Sequence, residues 1–441
     1  MTQVRKTHGS QSPSTQEHPP PHQIEERVAG KSSRRRIFVW TLFDFANTSF
    51  SVLILTVGYP LYFTTVVTAG HGDSDFLWGL AFSISMLITA TISPVLGAIA
   101  DYSSGKKRFL LLSTILCIIA TCLLYFVGEG MILLGMFFLI LGNIGFESGL
   151  VFYDSFLPEI TSERSYGRVS GYGFAMGYVG SLATLAIAYP LFQGGFIAEN
   201  LQNIRLSFVL SAIFFAIFAI PIFIAFHDKH RRLPREKSYV QIGIDRVANT
   251  IRHMREFSNV GRFLVSYFVY IDGVNTVIIF ASIYALRTLH FETSEIVFFF
   301  ATVQTAAIGG SVAFGILSDH IGQKKTLTVT LLLWIAVVSL AYVTVDKALF
   351  YVVGMLAGIA MGSSQSTSRS LYSKIIPFER KTEFFGFYSF FGKSSAILGP
   401  FLFGLASTYF GQRVAVISVG IFFVVGLFLL QRVREKPEGA S

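Results

Sequence analysis

The sequence predicts an all-α integral membrane protein, with twelve transmembrane helices in two pseudo-symmetric six-helix bundles. Three observations carry that expectation. Of 441 residues, 52% are hydrophobic, 15% aromatic and only 14% charged, whereas a soluble chain carries roughly 25% charged residues. Twelve segments have the ~20 mostly apolar residues that a membrane crossing needs. One loop pattern occurs twice, once in each half of the chain. The same composition excludes soluble multidomain, disordered, fibrous and disulfide-rich secreted classes. Cys117 and Cys122 share one apolar stretch and read as small buried residues, with no disulfide framework and no metal site.

The elements follow in order. Residues 1–36 mix Pro, Ser, Gln and His and end in Arg34, Arg35 and Arg36. They read as a disordered tail with a basic stop, because no short apolar core follows a short basic start. The spans are expected at 37–63, 76–100, 108–128, 131–155, 170–193 and 206–226, then at 261–286, 295–317, 325–345, 348–372, 384–409 and 412–431. Prolines at 60, 94, 190 and 400 would kink them. The longest connection, 227–260, divides the spans six and six. In it Val240, Ile244, Val247, Ile251 and Met254 recur at spacings of four, three, four and three, with Arg246, Arg252 and Arg255 on other faces. That is an amphipathic helix suited to lying on the inner leaflet. The expected organisation is a tail (1–36), a first bundle (37–226), a linker (227–260), a second bundle (261–431) and a short tail (432–441).

Lys and Arg set the orientation. With both termini in the cytoplasm, twenty-eight of the 35 basic residues fall on inside segments. Only Arg205, Arg287, Lys347 and Arg413 fall outside. The net charge of +9 is therefore a topology signal, with basic residues meeting anionic lipid at the inner edge, and it needs no nucleic acid. The expected location is a bacterial cytoplasmic membrane, with the chain a monomer.

The loop after span 2 runs Gly97, Asp101, Gly105, Lys106, Lys107. The loop after span 8 runs Gly315, Asp319, Gly322, Lys324, Lys325. The glycines allow close packing and tight turns. The aspartates can accept backbone donors or face a helix N-terminus, and the lysines can anchor the loops to lipid. Parallel repeats of this kind match a secondary-transporter architecture.

These loops resemble the Gly-x-x-x-Asp-x-x-Gly-x-Lys/Arg-Lys/Arg signature of the major facilitator superfamily. The first copy carries one extra residue before Gly105, and Tyr102 where Arg is usual. Asp44 to Phe50, reading Asp-Phe-Ala-Asn-Thr-Ser-Phe, resembles the first-helix signature of the vacuole effluxer, autophagy-related branch. Phe156-Leu157-Pro158, Arg168 to Gly173, Tyr270 to Val274, Gln365 to Ser370 and Glu383 to Tyr388 are similar to that branch in the same order. The resemblance implies a twelve-helix exporter of small solutes, amino acids being the class named for fungal vacuolar members. It also implies that helices 1, 4, 7 and 10 line a central cavity.

Intramembrane charge costs roughly 2.5–3.5 kcal/mol or more per group, so each instance calls for a reason. Asp44 and Asn47 share a face of span 1. Asn143, Glu147 and Asp154 lie within ~40° on span 4. Asp272, Asn275 and Thr276 cluster on span 7, Gln365 and Arg369 on span 10, and Lys393 lies on span 11. Asp272 and Lys393 are expected near the midplane, contacting the solute or each other. Asp44, Glu147 and Arg369 are expected to form pairs on the cytoplasmic side that break during alternating access. Asp154 and Lys374, near the membrane edge, read as members of static ion pairs that fix helix packing. A carboxylate in such a site can carry a proton, so protons are a candidate coupling ion.

The leading expectation is therefore a secondary transporter exporting a small polar or zwitterionic, amino-acid-like solute. Lipid, lysolipid or drug export is the alternative, and a non-transporting sensor a further one. No nucleotide-binding pattern, catalytic motif, metal cluster or cofactor signature is present, so no enzyme and no cofactor is expected.

Overall fold

A computed structural model describes residues 34–69, 74–228, 238–253, 255–395 and 398–435. Most of the two expected tails, Met254 and residues 229–237 of the linker lie outside the described residues. Regular structure in the described residues is helical throughout. Eleven helices are long and apolar enough to cross a membrane. They are α1 (Arg34–Val67), α2 (Ser74–Ser103), α3 (Lys106–Leu123), α4 (Ile132–Asp154), α5 (Tyr166–Phe192), α6 (Leu201–Ala225), α8 (Ser258–Thr288), α9 (Thr293–Ile321), α10 (Gln323–Val343), α11 (Lys347–Ile375) and α14 (Gln412–Gln431). The expected span 384–409 is described as α12 (Lys381–Ser395) and α13 (Leu398–Phe410). Helix α7 (Tyr239–Arg252) is the linker helix.

Two separate apolar cores divide the molecule. One joins α1 to α6 around Trp40, Phe43, Phe50, Tyr153 and Phe208. The other joins α8 to α14 around Phe263, Tyr270, Phe299, Trp334 and Phe423. Lipid tails are as apolar as Leu, so burial of apolar surface does not drive helices together here; close packing does. Ring stacking shows it, with Trp40 4.6 Å from Tyr153 and Trp334 5.1 Å from Phe423 between centroids.

Pro60 acts through the backbone register. It lacks an N–H, so α1 passes into π-helical segments on either side of it, Ser51–Thr56 and Phe63–Val67. The bonds Val57 N to Val52 O (2.9 Å) and Thr68 N to Phe63 O (3.0 Å) span five residues instead of four. Pro94 and Pro190 sit within continuous helices.

The duplicated loops end their helices differently. In the second copy Gly322 turns the chain with φ +99°, a conformation that glycine adopts without a steric penalty. In the first copy the extra residue, Ser104, takes that role at φ +51°, and Gly105 then precedes α3 with an ordinary φ of −105°. Each following helix is capped by a carboxylate from the end of its own half. Asp228 accepts from Lys107 N at 2.8 Å, and Glu435 accepts from Gln323 N at 3.1 Å. Both carboxylates thus meet the positive end of a helix.

Candidate functional site

The described helices carry the basic residues of the expected inside segments, such as Lys106, Lys107, Arg168, Lys324 and Lys381, at one end of the bundle, called the basic end below. There the two halves meet along two seams, α2 against α12 and α5 against α9. In the first, the Asp101 carboxylate accepts from Glu383 N at 2.9 Å, at the N-terminal turn of α12. In the second, Asp319 accepts from Gly167 N at 2.8 Å and Arg168 N at 3.1 Å, and pairs with Arg168 Nε at 2.9 Å. Each motif aspartate therefore bonds to the first turn of a helix in the other half. The glycines let backbones meet. A Cβ on Gly97 would fall 2.2 Å from the Thr382 carbonyl, and one on Gly315 would fall 2.7 Å from the Gly167 carbonyl.

The motif lysines do not simply reach to lipid. Lys106 is buried and bonds Glu159 at 2.5 Å and the Ser155 carbonyl at 3.1 Å. Lys381 of the other half joins the same Glu159 carboxylate at 2.8 Å. Against the effect of burial, the two ammonium groups hold the Glu159 carboxyl below its ordinary value, at about 2. Lys324 donates to the Gln431 carbonyl at 2.9 Å.

Deeper in, Arg369 of α11 crosses into the first half. Its guanidinium bonds Asp154 at 2.8 Å and Asp44 at 3.5 Å. It also reaches the Ser170 hydroxyl at 2.9 Å and the Ser170 carbonyl at 2.8 Å. Phe174 and Trp40 rings lie 4.1 and 4.8 Å from its central carbon. The side chain is 2% exposed, so these partners take the place of water. Asp44 is itself fixed by Tyr153 Oη at 2.7 Å and by Asn47 Nδ2 at 3.5 Å.

Above Arg369, Glu147 of α4 pairs with Lys393 of α12, again across the halves. The lysine side chain is 24% exposed, so this pair is reachable. Gln365 accepts from Tyr178 Oη at 2.6 Å. Asn275 is half-buried. Asp272 is fully buried, and neither of its oxygens has a side-chain partner among the described residues. The nearby Thr276 hydroxyl donates to the Asp272 backbone carbonyl instead, at 2.8 Å.

One expected partnership differs in the structure. Lys393 meets Glu147 and not Asp272, because both groups of the observed pair face the seam between halves while Asp272 lies against α13 near Gly399. Asp154, expected in an ion pair near the membrane edge, is the shortest carboxylate contact of Arg369. Sequence reasoning does not find the bonding roles of Tyr153, Ser170 and Tyr178, since a lone Tyr or Ser in a span has no signature of its own, nor that of Glu159, since a carboxylate between spans is commonplace.

A family model described as vacuole effluxer Atg22 like matches residues 77–167 and 161–438. The chain belongs to this family. It is 31% identical over 405 residues to the uncharacterized MFS-type transporter YxiO of Bacillus subtilis, covering 90% of this chain and 94% of that protein. It is 23% identical over 381 residues to autophagy-related protein 22 of Kluyveromyces lactis, covering 78% and 77%. Among solved structures it resembles the proton:xylose symporter XylE (TM-score 0.69, 15% identity, covering 93% and 98%). It also resembles the outward conformation of FucP (TM-score 0.70, 12% identity, covering 91% and 98%). These show the major facilitator fold. This Atg22-like chain is thus a multi-pass transporter of the major facilitator superfamily, and every inter-half bond named above lies between its basic end and mid-depth.

Proposed function

We propose that this transporter exports a small zwitterionic, amino-acid-like solute by alternating access. The Glu147–Lys393 pair carries the reading. It brings one charge of each sign, one from each half, to a reachable point. A zwitterion replaces that one ion pair with two, its ammonium on Glu147 and its carboxylate on Lys393. Neither protein charge is then left bare, which matters where a bare charge costs roughly 2.5–3.5 kcal/mol. The effluxer name of the family supports the direction. The Lys and Arg bias supports a cytoplasmic position for the basic end, and the closed seams then support reading this state as closed to the cytoplasm, with export ending at the opposite face.

Counterflow of labelled amino acids in proteoliposomes tests the reading. Glu147→Gln and Lys393→Gln are each expected to lose at least tenfold in solute affinity, the loss of a charge-assisted bond of roughly 1.5–3 kcal/mol. Thermal-shift screening of the purified protein supplies the contrary result. Stabilisation by lysolipids or cationic drugs alone would overturn the amino-acid reading.

A further inference from the structure

We propose that α7 is a latch on the basic-end gate whose outer face is seated on anionic lipid, so that the lipid composition of that leaflet sets how firmly the gate closes. The inference rests on the two-half transporter architecture and not on the identity of the solute.

The latch side comes from the bonds of one residue. Glu383 lies on the α2–α12 seam and donates its backbone N–H to Asp101. Its side chain accepts from Thr250 of α7 and lies 3.7 Å from Arg246 of α7. Arg380 adds a bond to Thr250 at 3.3 Å. Helix α7 also packs on α2, where a Cβ on Gly243 would fall 2.7 Å from Ile99 and 3.1 Å from Val95. It therefore grips a helix of the first half and a gate residue of the second. Moving the two apart to open this end requires α7 to release one of them.

The lipid side comes from depth and face. Val95 and Ile99 precede the end of α2 at Ser103 by about 12 and 6 Å at 1.5 Å per residue, so α7 lies at the boundary between hydrocarbon and headgroups. Val240, Ile244 and Ile251 are 56%, 52% and 56% exposed and fall within ~40° on the helix. This stripe adjoins the face that carries Gly243, Val247 and Thr250. A helix surrounded by water would not leave three aliphatic side chains more than half exposed in one row, whereas an interfacial helix would. Arg252 and the following Arg255 are exposed beside it, and each basic residue near an anionic surface contributes ~1 kcal/mol. The occupant is therefore an anionic leaflet.

The test reads the gate without transport. Spin labels at Glu163 and Glu379, exposed positions on opposite halves at the basic end, report its opening by pulsed dipolar spectroscopy in full-length protein with both cysteines replaced. Moving from phosphatidylcholine vesicles to phosphatidylglycerol-containing ones is expected to raise the closed-to-open ratio roughly fivefold for each basic residue engaged. The double variant Ile244→Asp and Ile251→Asp should lose that response, and its exposed sites should leave folding intact. Thr250→Val should open the gate in both lipids. Identical distance distributions in the two lipids would overturn the proposal, as would a lipid response that persists in the double aspartate variant.

Discussion

Arg369 shows what one side chain does at the meeting of two halves. A guanidinium offers five donors in a plane, and here they are distributed over Asp154, Asp44 and Ser170 while aromatic rings cover its faces. A lysine has neither the fork nor the flat faces. Arg369→Lys is therefore expected to reduce transport more than tenfold, measured as initial counterflow rate, while keeping the charge. Arg369→Ala leaves two buried carboxylates without a cation. Breaking a buried pair in this way costs about 3–5 kcal/mol, so its melting temperature should fall. Adding Asp154→Asn should recover part of that fall, whereas no recovery would mean that the two groups are not coupled. Asp44 and Glu147 were legible as costly groups because each interrupts an apolar run, and Arg369 because it is a charge within an expected span, among the small and polar residues Ser363 to Ser370. Their partners were not, because hydropathy gives a residue's depth and face on its own helix but not which helix of the other half faces it. Asp154 shows the same limit: its depth reads as the membrane edge and its role as an ion pair, but not that its partner is the Arg369 guanidinium of the other half.

At the scale of elements, the seams depend on helices that approach at backbone distance. A Cβ on Gly171 of α5 would fall 2.2 Å from the Ser311 carbonyl of α9, while Gly309, nearby on α9, has open space around it. Gly171→Ala is expected to push the seam apart and raise the reactivity of a cysteine placed at the buried Ser318 several-fold toward a membrane-impermeant maleimide. Gly309→Ala should leave that reactivity unchanged. Equal behaviour of the two variants would show that the close approach does not hold the gate. The duplicated loops were legible because Gly, Asp and Lys recur at a fixed spacing. Their caps were not, since Asp228 and Glu435 lie 121 and 112 residues from the atoms they cap, in sequence, and no local pattern links such distant positions. The linker helix was legible from its spacing, yet periodicity alone did not reveal that its other face grips α2 and Glu383.

For the whole molecule, the deciding quantity is the balance of charge inside the membrane. Among the described residues, four carboxylates, Asp44, Glu147, Asp154 and Asp272, share the interior with two cations, Arg369 and Lys393. The first half supplies three of the carboxylates and the second half both cations. In this arrangement the cations pair with the first half, and Asp272 is the carboxylate without one among the described residues. On the alternating access proposed above, parting of the halves removes both cations from the first half at once, and the cycle then calls for positive charge from elsewhere, a proton or a cationic group of the solute. Neither Asp272 side-chain oxygen meets a cation among the described residues, and a carboxylate is a group that can carry a proton through a cycle. We therefore expect Asp272→Asn, which fixes the uncharged state, to abolish solute accumulation driven by an imposed pH gradient in proteoliposomes while preserving counterflow, which needs no net proton movement. Loss of both activities would make Asp272 a packing or solute-binding group. Undiminished gradient-driven flux in Asp272→Asn and in Glu147→Gln would remove proton coupling from both residues and leave the surplus charge to be met by the solute itself.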